Sequence, residues 1–220
     1  TNVAGCSNSD TVVVNVNNLP TISITNDTTI CSTDTIQLFT SGGTNYEWLT
    51  NSNISNQLIS NPLVWPSSTT TYQVVISDTN TCSDTAQVTI TVNSLPVIDA
   101  GLDDTICIGD TTQLLVSGAN SYLWNPSSSL SDPNIANPLT WPIASTSYIV
   151  TGTDLNSCSS TDTVYVVVNN LPAVDAGLPA SICLGDSTQL QASGANTYVW
   201  SPAGSLNNAT ISNPIASPSV

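Results

Sequence analysis

The chain has no lysine, no arginine, no histidine and no methionine, and each absence removes a class of chemistry. Without histidine or lysine there is no Ser-His-Asp relay, no imidazole metal ligand, no Schiff base and no cationic clamp for phosphate. Nucleic acid is not an expected partner, because phosphate contacts need Lys or Arg. Anionic membrane surfaces would be repelled for the same reason. Side-chain salt bridges cannot form, a Lys–Asn isopeptide staple cannot be built, and trypsin has no cleavage site. No run approaches the roughly 20 apolar residues of a membrane helix, so no membrane insertion is expected in this segment, and Thr1 opens no signal peptide. Carboxylate pairs or an activated Cys, Ser or Thr are the only catalytic devices left. With their partner residues missing, the chain reads as a non-enzyme that needs no cofactor.

What is present is acidic and apolar together. Fourteen Asp and Glu47 give a net charge of -15, yet 40% of residues are hydrophobic and β-branched residues abound. That balance describes a folded β protein rather than a disordered acidic tail. The charge serves solubility and keeps parallel copies apart.

The chain is organised by one stretch that occurs three times: Ser41-Gly-Gly-Thr-Asn-Tyr-Glu-Trp48, Ser117-Gly-Ala-Asn-Ser-Tyr-Leu-Trp124 and Ser193-Gly-Ala-Asn-Thr-Tyr-Val-Trp200. The tryptophans stand 76 residues apart, as do Asn18-Leu19-Pro20, Ser94-Leu95-Pro96 and Asn170-Leu171-Pro172. Residues 1–20 therefore read as the C-terminal strand of a preceding repeat and 21–96 and 97–172 as two complete repeats. Residues 173–220 read as the N-terminal part of a following one, so the chain looks like a window on a longer array. Each copy of the stretch is a turn entering a strand, whose Tyr and Trp, two apart, share one face. That face is expected to be core. The residue between them, Glu47, Leu123 or Val199, is expected to face solvent.

In residues 97–172, strands are expected at Val97–Ala100, Asp104–Cys107, Thr111–Val116, Tyr122–Trp124, Leu139–Trp141, Tyr148–Thr151 and Thr163–Val168. A hairpin turn is expected at Asp154–Cys158, and an Asn/Pro/Ser-rich loop with short irregular strands at Asn125–Asn137. Nothing has helical period. Short strands at regular spacing with turn residues between them predict an all-β chain of tandem immunoglobulin-like β-sandwiches, head to tail.

The pattern Ile-Cys-x-Gly-Asp-x-x-x-Leu, then Ser-Gly-x-x-x-Tyr-x-Trp, then Asn-Pro, then Tyr-x-Val before an Asp-x-x-x-Cys turn, resembles the immunoglobulin-like or PKD-like repeats of very large Bacteroidota cell-surface proteins. The gliding-motility adhesins are one such group. The resemblance is carried by Ile106, Cys107, Gly109, Asp110, Leu114, Ser117, Gly118, Tyr122, Trp124, Asn137, Pro138, Tyr148, Val150, Asp154 and Cys158. Ser32-Thr33 departs from it in the first repeat, and Ser217 stands where Trp65 and Trp141 stand. The resemblance implies an extracellular, cell-surface segment of a stalk, filament or adhesin, with a spacer or glycan-binding array on a secreted enzyme as the alternative. Its expected partners are neighbouring repeats of the same polypeptide, with lateral self-association also open.

The six cysteines fall two per repeat: Cys31, Cys107 and Cys183 early, and Cys6, Cys82 and Cys158 late. No Cys-x-x-Cys is present, so disulfides are expected rather than zinc. Pairing within a repeat, Cys31–Cys82 and Cys107–Cys158, is the simplest scheme. In a sandwich of this type, however, the two turns lie at opposite ends, about 20 Å apart, beyond the roughly 7 Å that a bridge spans. The preferred pairing joins one repeat to the next, Cys31 to Cys158. Junction pairs such as Cys82–Cys107, and free thiols, stay open.

Asp followed by Thr or Ser recurs before an apolar residue or Thr, placing hydroxyls at Thr11, Thr28, Thr35, Thr85, Thr105, Thr111, Thr163 and Ser187. This looks like the O-glycosylation consensus used by Bacteroidota on exported proteins; as residue types alone it is ordinary turn and strand chemistry. Asn26, Asn53 and Asn208 lie in Asn-x-Ser/Thr sequons. Calcium has a place at domain junctions if anywhere, near Asp99, Asp103, Asp104 and Asp154, but no Asp-x-Asp-x-Asp-Gly loop is present. The Trp and Tyr residues could form a carbohydrate-binding strip; their fixed strand positions favour core instead.

Overall fold

The computed structural model describes residues 1, 3–50 and 52–219. Every regular element among them is a β-strand, and among the described residues no helix is long and apolar enough to cross a membrane. The repeated stretch shows how each sandwich starts. A Cβ on Gly118 would stand 1.8 Å from the carbonyl oxygen of Val97, and one on Gly194 1.9 Å from that of Ala173. Both glycines have positive φ, so no other residue lets the incoming chain lie this close. The tyrosine then clamps the turn: Tyr122 Oη donates to the Ala119 carbonyl at 2.8 Å and accepts the Ala119 N–H at 3.0 Å. Tyr46 Oη donates likewise to the Gly43 carbonyl at 2.9 Å. Each tryptophan sends its Nε1–H to a carbonyl eleven residues on: Trp48 to Ile59, Trp124 to Ile135 and Trp200 to Ile211.

The first sandwich consists of β1 (Ser23–Ile24), β2 (Thr28–Cys31), β3 (Ile36–Gln37), β4 (Thr40–Ser41), β5 (Asn45–Trp48), β6 (Leu63–Val64), β7 (Thr70–Ser77) and β8 (Ser83–Asn93). One sheet has the order β5-β7-β8-β2, antiparallel except that β2 runs parallel to β8. The opposing layer pairs β1 with β4 and β3 with β6, and adds an isolated bridge from Ile54 to Val64. The second sandwich repeats this 76 positions on with β9 (Asp104–Cys107), β10 (Thr112–Gln113), β11 (Ser121–Asn125), β12 (Leu139–Thr140), β13 (Thr146–Thr153) and β14 (Ser159–Asn169). Its long sheet has the order β11-β13-β14-β9, and β14 is again parallel to β9. The chain is thus all-β, with tandem immunoglobulin-like sandwiches.

Period-2 alternation fills the cores. On β7, Tyr72, Val74 and Ile76 are fully buried, and Val88 and Ile90 meet them from β8. With Leu38, Trp48 and Val64 they form one closed cluster. Its counterpart gathers Leu114, Trp124, Tyr148, Val150, Val164 and Val166. The Asn-Pro motif locks the second layer: the Leu38 N–H donates to the Pro62 carbonyl at 2.9 Å, and Leu114 does the same to Pro138. Gln37 and Gln113 donate their Nε2–H to the Asn61 and Asn137 carbonyls.

Two expectations need correction. Trp65 and Trp141 are not core: they are 43% and 45% exposed. Pro62, Val64 and Pro66 take the inward positions of their segment, so the residues between them, Leu63 and Trp65, must face out. The strand expected at Val97–Ala100 is reduced to a single bridge, Asp99 to Ser117.

Residues 173–219 contain only β15 (Thr188–Gln189) and β16 (Ile215–Ala216), paired antiparallel, plus the bridges Asp175–Ser193 and Leu206–Ala216. Trp200, the counterpart of two fully buried tryptophans, is half-buried there. In residues 3–19 no strand is assigned among the described residues. Val12, Val14 and Val16 stand 88%, 77% and 90% exposed, although their 76-residue counterparts on β8 and β14 face the cores.

Candidate functional site

The site is the junction between the two sandwiches, where Cys31 is bonded to Cys158 with their Cα atoms 5.5 Å apart. Cys31 ends β2 and opens a Cys-Ser-Thr-Asp turn. The Asp34 N–H donates to the Cys31 carbonyl at 3.1 Å, and Asp34 Oδ2 accepts the Cys31 N–H at the same distance. The third residue of that turn must take positive φ, and Thr33 does so at 82°, where Gly109 and Gly185 stand in the other repeats. Cys158 closes the other turn. Asp154 Oδ1 accepts both the Asn156 and the Cys158 N–H, at 2.8 and 2.9 Å, and Ser157 has φ of 65°. Each bonded cysteine is therefore aimed by an aspartate that spends its oxygens on backbone amides.

The sheet register determines which cysteines can meet. Parallel pairing sets Cys31 against Asn93, at the end of β8 that leads into the next sandwich. Cys82 immediately precedes Ser83, at the other end of the same strand. The ten positions from Ser83 to Asn93 span about 33 Å, so Cys31 and Cys82 of one sandwich cannot bond while this sheet is intact. Cys158, in the turn between β13 and β14, is bonded across the junction and fully buried, whereas Cys82 in the same type of turn is only half-buried. Cys82, Cys107 and Cys183 are free thiols, Cys107 and Cys183 exposed; Cys6 is also exposed.

The carboxylates considered for calcium accept hydrogen bonds from backbone amides and, at Asp104, from a threonine hydroxyl as well. Asp99 Oδ1 accepts the Gly101 N–H and Asp103 Oδ1 the Tyr165 N–H, while Asp104 Oδ1 accepts the Thr105 N–H and Oδ2 the Thr112 hydroxyl. The Thr112 hydroxyl, and next the Thr105 amide, hold the Asp104 carboxyl below the usual carboxylate range. Asp162, on β14, is lowered by the Ala100 N–H at 2.8 Å and then by the Thr163 N–H. Among the described residues no three His, Cys, Asp or Glu side chains gather as a metal would require.

Of the Asp-Thr and Asp-Ser hydroxyls, Thr11, Thr35, Thr85, Thr105, Thr111, Thr163 and Ser187 are exposed and Thr28 is half-buried. Asp10, Asp84 and Asp104 each accept the amide of the threonine that follows. The feature that sequence reasoning missed is the outward pair Leu63–Trp65, with its counterpart Leu139–Trp141. Strict alternation with Pro62, Val64 and Pro66 was the signal available for it.

No family model and no curated protein matches the chain. Solved structures similar to it include strings of immunoglobulin domains. The N-terminal eight Ig domains of Down Syndrome Cell Adhesion Molecule match at 14% identity over 92% of this chain and 38% of that one, TM-score 0.38. The insect immune protein hemolin matches at 14% over 69% and 46%, TM-score 0.38. The I67–I69 I-band fragment of titin matches at 11% over 93% and 90%, TM-score 0.42. The chain thus spans less than half the length of the first two.

Proposed function

We propose that this chain is a segment of a long extracellular stalk, filament or adhesin at the cell surface, whose work is reach, stiffness and display. The observation that carries the reading is the covalent junction: sandwiches repeated at one period and bonded across their boundary, with all surface charge of one sign. In this reading 1–20 belong to a preceding repeat and 173–220 to a following one, neighbouring repeats of the same polypeptide are the principal partners, and lateral association between stalks is the second. The residue pattern shared with the repeats of Bacteroidota gliding-motility adhesins supports the same setting. The exposed hydroxyls after aspartate then become candidate glycan carriers. Electron microscopy of source cells with gold-labelled antibody against residues 97–172 tests the reading. Label strung along thin filaments away from the envelope is expected; label diffuse in the medium would contradict it.

One observation favours a second reading, a glycan-binding array or spacer on a secreted enzyme: the outward Trp65 and Trp141 offer ring faces at a 76-residue spacing. Titration with a soluble neutral polysaccharide, followed by tryptophan fluorescence, would detect it, and Trp65→Ser with Trp141→Ser would abolish the change.

A further inference from the structure

We infer that the Cys31–Cys158 bond is a load bypass, which removes residues 32–157, the greater part of both complete sandwiches, from the path of tension along the chain. Its use in a stalk rests on the function proposed above; the bypass itself follows from connectivity. The bond joins residues 127 apart in sequence. When the two ends are pulled, tension runs from residue 1 to Cys31, crosses the sulfurs, and continues from Cys158 to residue 220. Residues 32–157 lie in a closed loop and carry none of it. That loop contains the whole buried cluster of the first sandwich, from Leu38 to Ile90, and all of the second except Val164 and Val166.

Within the two complete sandwiches the segments that do carry load are extended strands. In the first sandwich they are β1 and β2, entered at one end and left at the other through Cys31. In the second it is β14, entered at Cys158 and left beyond Asn169. A β-strand already rises about 3.3 Å per residue, close to the limit of about 3.3–3.6 Å for a stretched chain. Tension along such a strand finds almost no hidden length to release. An unclipped immunoglobulin-like sandwich differs, because force enters by its first strand and leaves by its last and pulls the core apart between them.

The spacing of the remaining cysteines extends the idea along an array. Cys158 and Cys183 are 25 residues apart, as are Cys82 and Cys107. If the bond recurs at each junction, tension follows two interleaved paths, each crossing two repeats in 25 residues, about 83 Å, where the unclipped chain would extend to about 500 Å. The eleven-residue β8 and β14 are each about 36 Å long, so 83 Å is close to the folded length of two repeats. Such a stalk keeps its length even while its cores unfold.

The test is to pull the full 220-residue chain by its two ends in an optical trap. With the bond intact, maximum extension is expected to fall about 440 Å short of that of the reduced chain, and residues 32–157 give no unfolding steps. Cys31→Ser with Cys158→Ser should reach full length without reductant, while serine at positions 6, 82, 107 and 183 together should leave the shortfall unchanged. An oxidised chain that reaches full length would overturn the bypass. So would a shortfall of about 180 Å, the length closed by a Cys31–Cys82 bond. The readout is a length on purified chain, so its failure leaves the location of the protein untouched; antibody labelling of cells, in turn, does not depend on the bond.

Discussion

At the scale of single residues, aspartate does the work that basic residues and metals do elsewhere. Asp34 and Asp154 aim the bonded cysteines, while Asp104 joins β9 to β10 and Asp162 holds the Ala100 segment against β14. The last two have folded-state carboxyls below the ordinary value of about 4, so protonation is harder folded than unfolded. Their contribution is whole above about pH 4 and is lost as pH falls through the lower folded values. The first sandwich has Thr28 and Ala86 at these positions. Acidification from about pH 5 to about pH 2 is therefore expected to weaken the second sandwich more than the first, and Asp162→Ala should narrow the gap. Hydrogen exchange resolved by mass spectrometry would measure it; equal loss in both sandwiches would contradict it. Thr33 makes a second residue-scale test. A β-branched residue at φ 82° costs about 1–3 kcal/mol. Thr33→Gly, which restores the residue type of the other repeats, should stabilise the first sandwich by about 1 kcal/mol after the added chain entropy is subtracted, measured by urea unfolding.

At the scale of elements, the turn–clamp–plug stretch and the alternating strands make opposite predictions for residues of similar chemistry. Trp124 is buried and hydrogen-bonded to Ile135, so Trp124→Ala should cost about 3–5 kcal/mol. Trp141 faces out, and its third counterpart is Ser217, so Trp141→Ser should cost less than about 1 kcal/mol. Denaturant midpoints of the two variants decide it. The glycines divide in the same way. Gly118→Ala would drive a Cβ into the Val97 carbonyl and should prevent the second sandwich from closing, whereas the space around Gly109 is open and alanine there should cost about 1 kcal/mol of φ strain alone. Circular dichroism of the two variants separates the outcomes.

At the scale of the whole molecule, a short link, Ser94-Leu95-Pro96, and one covalent bond join the sandwiches at two points. Two attachments remove hinge freedom that one would leave. Fluorescent labels on the two sandwiches should show a narrow distance distribution that broadens in Cys31→Ser. A non-reducing chymotryptic digest should yield the Cys31 and Cys158 peptides as one species; recovery of Cys31 with Cys82 would exclude the junction bond. The charge of -15 acts at this scale too, because it keeps parallel copies apart at low salt and does so less as salt rises.

The sequence by itself determined whatever depends on short separations and on period. The 76-residue repeat, the β class, the Tyr and Trp of the Ser-Gly stretch, the turns before Cys82 and Cys158 and the outward Glu47 and Leu123 were legible because neighbouring residues and two-residue alternation dictate them. Tertiary structure alone decided the parallel register of β2 on β8 and the 62-residue reach of Asp103 to Tyr165 and of Asp162 to Ala100. These depend on how one layer lies against another and one sandwich against the next, and local pattern does not encode distances across a core or a junction.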